Sequence, residues 1–227
     1  MAIALRSLGS SAAYGRENPD YERATEFLQR SVAADSDDPW THHLLGLVHL
    51  ESGRIDAALD ELRTASELDP SELTLGDLGR AYRMSRELEE SVEALRRAVE
   101  IAPDYAWGHA ELGETYRLMG ESEEAARALE RAIEIDPDYA WAWGTLGQVR
   151  HAQGDLDAAL TALENAASLD DSQTWILMEL GELHRVRGEM DRAIPPLRRA
   201  LDRDPGNAWT LGTLGQVYRA QGRVDEA

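Results

Sequence analysis

The chain has 227 residues and a formal net charge of -20 at pH 7, from 43 acidic and 23 basic side chains. This acidic excess argues against a surface for nucleic acid or for an anionic membrane, because both require clustered positive charge. Cysteine is absent, which excludes disulfides, thiolate metal sites and cysteine nucleophiles. We see no signal peptide and no apolar span of membrane length, and we therefore expect a cytoplasmic protein.

The sequence repeats itself with a period of 34 residues. Four copies of one phrase read ELGETYRLMG from Glu111, TLGQVRHAQG from Thr145, ELGELHRVRG from Glu179 and TLGQVYRAQG from Thr213. Self-similarity at this spacing is typical of solenoids, in which each unit buries its apolar face only by stacking on its neighbours. The period therefore predicts a stacked array rather than a domain with one central core.

In chain order, each unit predicts two amphipathic helices. In the first helix, a glycine that we number as position 8 shares one face with residues at positions 4, 7 and 11. In the second helix, a small residue at position 20, leucine at 24 and alanine at 27 form another apolar stripe. The small residues at positions 8 and 20 would let the two helices approach closely. The glycines at position 8 are Gly46, Gly79, Gly113, Gly147, Gly181 and Gly215.

Turn signals separate these helices. Most units carry a glycine between the two helices, where it can adopt the left-handed cap conformation. These glycines are Gly53, Gly120, Gly154, Gly188 and Gly222, whereas one unit has Arg86 at this place. Most units close with a dipeptide such as Asp69-Pro70. Because proline disfavours helix in the residue before it, these dipeptides predict where one unit ends.

The pattern of Leu-Gly, an aromatic residue, glycine, alanine, leucine, alanine and Asp-Pro over 34 residues resembles the tetratricopeptide repeat family, in tandem arrays of bacterial type. The resemblance implies an all-α fold, a right-handed superhelical solenoid of helix-turn-helix repeats. The implied units are a degenerate first or capping repeat at residues 1–38, full repeats at 39–71, 72–105, 106–139, 140–173 and 174–207, and a partial seventh repeat at 208–227.

The last unit stops at Ala227, which is position 20 of 34. Leu211, Leu214 and Tyr218 would then face a second helix that is mostly missing. We expect either that the chain is part of a longer protein, which we prefer, or that self-association covers this C-terminal edge.

In the tetratricopeptide family, positions 2, 5, 9, 12 and 13 of the first helix commonly contact a ligand on the inner face of the superhelix. Position 2 here is tryptophan in all units but one, and its residues are Trp40, Leu73, Trp107, Trp141, Trp175 and Trp209. The tryptophans predict either a ladder of ligand contacts or plugs that pack into the neighbouring repeat and set the superhelical pitch. The sequence leaves both interpretations open.

Position 12 carries Arg83, Arg117, His151, Arg185 and Arg219. Guanidinium groups one repeat apart would suit the carboxylates or carbonyls of an extended peptide, because their planar fork favours paired hydrogen bonds. We slightly prefer another interpretation, in which these arginines pair with glutamates of the same helices and require no ligand.

Units two apart resemble each other, which indicates a module of 68 residues. The recurring residues are Glu111 and Glu114 with Glu179 and Glu182, and Gly144, Thr145 and Gln148 with Gly212, Thr213 and Gln216. Acidic and neutral inner faces would then alternate, although recent duplication alone would also explain the pattern. Glycine at position 5 predicts open space beside Trp141 and Trp209, as a pocket for a ligand side chain requires.

The sequence contains no Walker loop, nucleophile elbow, HExxH or dinucleotide fingerprint, and we therefore expect a non-catalytic protein without cofactor or metal. His42, His43 and His49 lie in one predicted helix, but two of them occupy the packing positions 4 and 11. The clamp of lysine, asparagine and arginine by which chaperone-tail receptors of the family bind their ligand is also absent.

We therefore expect an interaction scaffold that holds a peptide or protein segment in its concave groove, with the position-2 tryptophans as contacts and Arg117, Arg185 and Arg219 setting polarity. The alternative is a regulatory or sensor segment of a larger signalling protein, which binds its own neighbouring domain or another copy of itself. A more distant alternative is a small-molecule receptor that uses the tryptophan pockets.

Overall fold

The computed structural model describes residues 20–223 and Asp225, and these residues form twelve α-helices and no strand. Two compact units comprise residues 1–119 and 120–227. The first unit contains α1 (Tyr21–Ala34), α2 (Pro39–Glu51), α3 (Ile55–Leu68), α4 (Glu72–Ser85), α5 (Leu88–Ile101) and α6 (Ala106–Met119). The second contains α7 (Ser122–Ile135), α8 (Ala140–Ala152), α9 (Leu156–Leu169), α10 (Thr174–Val186), α11 (Met190–Arg203) and α12 (Ala208–Ala220). Ala227 and the start of the predicted capping repeat lie outside the described residues.

Each unit is a stack of helical hairpins, which confirms the all-α prediction. In the first unit, α2 pairs with α3 and α4 pairs with α5, while α3 packs on α4 and α5 packs on α6. In the second unit, α8 pairs with α9 and α10 pairs with α11, while α9 packs on α10 and α11 packs on α12. We call the even-numbered helices the first helices, because they correspond to the predicted first helix of each repeat.

The glycine at position 8 and the leucine at position 24 pack tightly against each other inside a hairpin. A Cβ atom added to Gly147 would lie 2.6 Å from Leu163 Cγ and 3.3 Å from the carbonyl oxygen of Ala159. The same contact recurs for Gly46 with Leu62, Gly79 with Leu95, and Gly181 with Leu197. Glycine is required here because its missing side chain leaves the space that the buried leucine fills.

The turns that follow the first helices share a left-handed φ among the described residues. The five predicted turn glycines have φ between 75° and 82°, and Arg86 has φ of 71° in the equivalent turn. A left-handed conformation costs a residue with a side chain about 1 kcal/mol. Arg86 in place of glycine therefore raises the free energy of that turn but leaves its φ within a few degrees of the glycine values.

Candidate functional site

Two of the position-2 tryptophans lie over a glycine of the preceding first helix. In the first unit, a Cβ atom on Gly76 would lie 3.0 Å from Trp107 Cζ3 and 3.2 Å from Tyr105 Oη. In the second unit, a Cβ atom on Gly144 would lie 3.1 Å from Trp175 Cζ2 and 3.2 Å from Ile176 Cγ1. Trp107 and Trp175 therefore follow the packing interpretation.

This contact corrects the prediction of open space at Gly144. The missing side chain does leave room, but the Trp175 ring occupies it. Nε1 of Trp175 donates a hydrogen bond to Gln173 Oε1 at 2.8 Å, which fixes the orientation of the ring. Trp141 is half-buried and lies 6.0 Å from Tyr139 between ring centroids.

Trp40 and Trp209 differ from these plugs because their side chains remain 45% and 47% exposed. For Trp209, the sequence gives a reason: position 5 of the preceding first helix is Met178, not glycine. A methionine side chain leaves no flat backbone surface on which an indole ring can lie. Gly212 lies on the last described helix, and an added Cβ there would meet no described atom within 4 Å apart from the local backbone, so the pocket predicted beside Trp209 stays a prediction.

The arginines at position 12 pair with glutamates of the protein in three of four cases. In the first unit, Arg83 contacts Glu111 at 2.9 Å, and Arg117 donates two hydrogen bonds to Glu114 at 2.7 and 2.8 Å. Arg117 follows the predicted pairing within one helix, whereas Arg83 on α4 pairs with Glu111 on α6, so its partner lies on the next first helix and not on its own. Burial raises the pKa of Glu111, and the charge of Arg83 opposes this shift.

In the second unit, Arg185 donates two hydrogen bonds to Glu182, at 2.7 and 2.6 Å. Arg219 differs because its helix has Gln216 in place of a glutamate at position 9. Within residues 20–223 the side chains of Gln216 and Arg219 have no hydrogen-bond or ion-pair partner, and both are exposed.

A set of contacts that the sequence did not predict joins successive first helices through position 6. The carboxylates of Asp77, Glu111 and Glu179 occupy this position. Asp77 lies 2.7 Å from His43 Nε2, and Glu111 bonds to Arg83, in the first unit. Glu179 accepts a hydrogen bond from Gln148 Nε2 at 3.1 Å in the second unit. The recurrence of an acidic residue at position 6 of three first helices is the sequence signal that could have indicated these contacts.

Two of the three clustered histidines form hydrogen bonds inside the protein. His42 Nδ1 lies 2.6 Å from a Glu61 oxygen and its Nε2 lies 3.0 Å from the carbonyl oxygen of Ser36, while His43 bonds to Asp77. Among the residues that the structure describes, no three His, Asp or Glu side chains come together as a metal site. None of the described helices is long and apolar enough to cross a lipid bilayer.

His49 makes the stability of the first unit depend on pH. Its side chain is buried, and burial lowers its pKa, an effect that Arg54 reinforces and Glu61 opposes. The unfolded chain would bind a proton with a pKa of about 6.5, so stability is complete above that pH and declines as pH falls below it. Relative to a His49→Gln variant, we expect the wild type to lose up to about 1.4 kcal/mol per pH unit in this range. Urea denaturation at pH 7.5, 6.5 and 5.5 measures the free energy of unfolding of both proteins. The same pH dependence in both proteins would contradict the prediction.

Comparisons with known proteins agree with this architecture. A model described as TPR repeat matches residues 79–120 and 113–154, and models described as tetratricopeptide repeat match residues 16–77, 153–208 and 208–227. A comparison with curated protein sequences finds no match.

Solved structures of repeat proteins are also similar. A crystal structure of MamA is 27% identical with a TM-score of 0.62, over 68% of this chain and 91% of that one. TTC0263, a thermophilic TPR protein in Thermus thermophilus, is 26% identical with a TM-score of 0.64, over 81% and 98%. PilW, a type IV pilus biogenesis factor, shares the fold at 17% identity, with a TM-score of 0.83 over 94% and 98%. The chain belongs to the tetratricopeptide repeat family.

Proposed function

We propose that this protein, an interaction scaffold by family, holds a peptide or protein segment along the inner faces of its first helices. The observation that carries the proposal is that large apolar side chains at positions 2 and 13 of these helices remain exposed. They are Trp40, Leu73 and Met84 in the first unit, and Val186 and Trp209 in the second, each 40% to 47% exposed. Exposed apolar side chains that recur on one face are typical of interaction surfaces.

Helical geometry places positions 2 and 13 on the same face. Eleven residues correspond to about three turns, so Leu73 and Met84 lie along one line of α4. In the second unit, Trp209 is the second residue of α12 and Val186 is the last residue of α10. An extended segment that crosses the first helices would meet such side chains in succession, and aromatic residues of this kind dominate the energy of many interfaces.

Charge favours the same faces for contact with a partner. Although the chain has a net charge of -20, α8 and α12 contain no acidic residue. The first helices α4, α6 and α10 do contain acidic residues, but Glu111, Glu114 and Glu182 are neutralised by arginine. Arginine therefore reduces the negative charge that a partner segment meets on these helices but does not remove it, because Glu179 bonds to the neutral amide of Gln148.

A matched pair of substitutions tests the proposal. Leu73 on a first helix and Leu68 on α3 are 41% and 42% exposed. Replacing either one with alanine should therefore lower the free energy of unfolding by a similar, small amount. We expect Leu73→Ala to reduce capture of a partner from the source organism. Adding Trp40→Ala should bring the loss to about tenfold or more, because truncating a hot-spot residue costs about 2 kcal/mol or more and a tenfold loss corresponds to about 1.4 kcal/mol. Leu68→Ala should leave capture unchanged.

The readout is quantitative mass spectrometry of proteins that co-purify with each variant, with thermal melting as the measure of folding. Equal capture by the Leu73 and Leu68 variants would contradict binding on the first helices. If light scattering instead gave a mass that rises with protein concentration and the Trp209→Ala variant abolished this rise, the self-association alternative would replace the proposal.

A further inference from the structure

A cleft lies between α7 and α9, two successive second helices of the second unit. Helix α8 packs on both of them, whereas the backbones of α7 and α9 do not approach each other. The cleft, which we call the α7–α9 cleft, has a volume of about 390 Å³. Its lining includes side chains from α7, from α8 and from the start of α9, namely Glu130, Trp143, Arg150, Asp155, Ala158 and Thr161.

The corresponding groove of the first unit is smaller. It lies beside α4 and α5 and has a volume of about 120 Å³. Glu90 and Glu93 line it at positions 19 and 22 of the repeat, where the α7–α9 cleft has Ala158 and Thr161. Shorter side chains at these two positions leave more room in the second unit.

At three other contacts between successive repeats, an arginine of the chain lies over an aromatic ring. The arginine is at position 25 of one repeat, and the ring is the tyrosine at position 11 of the next. The guanidinium carbons lie 5.2 to 5.8 Å from the ring centroids, in the pairs Arg63 with Tyr82, Arg96 with Tyr116, and Arg198 with Tyr218. At this distance the quadrupole of the ring attracts the cation.

The α7–α9 cleft lacks this internal arginine. Position 25 is Glu130 here and position 11 is Arg150, so the arginine has moved to the other helix, where it bonds to Glu130 and to Gln153. The aromatic ring of the cleft is Trp143, at position 4. Among the described residues, none of the contacts between a guanidinium and a ring involves Trp143.

Trp143 contributes its aromatic surface to the cleft and no polar group. Its Nε1 donates a hydrogen bond to the carbonyl oxygen of Pro137 at 2.9 Å, so the indole N–H is already used. The half-buried ring also packs against the core cluster that contains Leu163. An aromatic surface held in this way attracts a cation that enters the cleft.

The charges of the cleft also favour a cation. Arg150 supplies one positive charge, whereas Glu130 and Asp155 supply two negative charges. One carboxylate oxygen of Asp155 accepts a hydrogen bond from the backbone N–H of Ala158 at 3.0 Å, and the other has no hydrogen-bond partner among the described residues. The net charge of -20 of the whole chain adds a long-range attraction for basic molecules.

We propose that the α7–α9 cleft binds an arginine side chain of a basic partner segment. The guanidinium stacks on the Trp143 ring and donates hydrogen bonds to Glu130 and Asp155. Guanidinium suits this combination because it is planar, stacks on aromatic rings and pairs with carboxylates. A second copy of this chain is not the expected partner, since it carries the same negative net charge. The cleft shares no residue with the exposed apolar positions of the proposed function, so neither proposal requires the other.

The probe is a short fluorescein-labelled peptide in which arginine alternates with glycine. We expect saturable binding of this peptide to the full chain, measured by fluorescence anisotropy at physiological ionic strength. The same peptide with lysine in place of arginine should bind about fivefold more weakly, because an ammonium group is a point charge without the planar fork. A peptide with glutamate in place of arginine should not bind. Binding of the glutamate peptide, or no binding of the arginine peptide, would overturn the proposal.

Two charge reversals on α7 separate the cleft from general electrostatic attraction. Glu130 and Glu134 lie one turn apart, both are exposed, and each pairs with an arginine in the wild type. Glu130→Arg removes a carboxylate from the cleft and supplies a guanidinium at position 25, so it should weaken binding by about tenfold or more. Glu134→Arg makes the same change of charge outside the cleft and should weaken binding by less than about twofold. Equal weakening by the two variants would show attraction to net charge alone and would overturn the proposal.

Substitutions of Trp143 test the ring without a change of charge. Trp143→Leu should weaken binding about fivefold, which corresponds to about 1 kcal/mol, whereas Trp143→Phe keeps an aromatic face and should retain most of the affinity. Thermal melting shows whether each variant folds, and the two charge reversals remain decisive if Trp143→Leu does not. A folded Trp143→Leu variant that binds the arginine peptide as tightly as the wild type would contradict the proposed site. These variants leave Leu73 untouched, so capture of partners on the first helices remains a separate readout.

Discussion

Leu163→Ala is expected to lower the free energy of unfolding of the second unit by about 3–5 kcal/mol. Leu163 is fully buried on α9, at position 24 of its repeat. It fills the space above Gly147 and packs against buried residues of α10. Truncating such a leucine removes its transfer free energy and leaves a cavity that rigid helices cannot close. Leu169→Ala on the same helix is the control, because that side chain is 39% exposed and its loss should cost less than about 1 kcal/mol.

Combining Leu163→Ala with Gly147→Ala tests the contact itself. Alone, Gly147→Ala gains about 1 kcal/mol of helix propensity, but its Cβ would lie 2.6 Å from Leu163 Cγ, and such overpacking costs about 1–3 kcal/mol. In the double variant the obstructing Cγ is gone, and the new methyl group occupies part of the cavity. We therefore expect the double variant to be more stable than the sum of the single effects predicts.

The wild type, the two single variants and the double variant form a double-mutant cycle. Urea denaturation followed by tryptophan fluorescence measures the free energy of unfolding of all four proteins. An interaction free energy of at least about 1 kcal/mol, favouring the double variant, is the expected result for residues in contact. Additivity within about 0.5 kcal/mol would show that the position-8 glycine does not determine how closely the hairpin packs.

The hairpin was predictable from the sequence because every unit repeats it. Position 8, position 24 and the turn glycine recur with one period, and each has a single physical role in packing or backbone conformation. Gly147, Leu163 and Gly154 therefore lie where the alignment of units placed them. Even Arg86, which breaks the pattern, adopts the conformation that its position requires.

The inner faces were harder to predict because the residues there interact with the next repeat. Gly144 and Gly212 occupy the same position of the repeat, and the same five residues, Thr-Leu-Gly-Gln-Val, follow each of them, so the sequence pattern predicts one environment for both. The structure separates them, because Trp175 covers the first and no described residue covers the second. In the same way, whether Arg185 or Arg219 is paired depends on one residue at position 9, glutamate or glutamine.

The same substitution at these two glycines is expected to change stability in opposite directions. Gly212→Leu places a good helix former at an exposed position with no obstruction, and should raise the free energy of unfolding by about 0.8–1 kcal/mol. Gly144→Leu introduces a side chain where the Trp175 ring and Ile176 already lie. We expect it to lower the free energy of unfolding by about 3 kcal/mol, from overpacking and from lost burial of the ring.

Tryptophan fluorescence adds a signal that a general loss of stability would not produce. When leucine at position 144 displaces the Trp175 ring into water, the emission of the folded protein should shift to longer wavelength, whereas the Gly212 variant should keep the wild-type spectrum. A Trp175→Ala background removes the obstruction, so Gly144→Leu should then cost much less. If both glycine variants changed stability with the same sign in the wild-type background, the covered surface at Gly144 and the uncovered surface at Gly212 would be energetically equivalent, which would contradict the prediction.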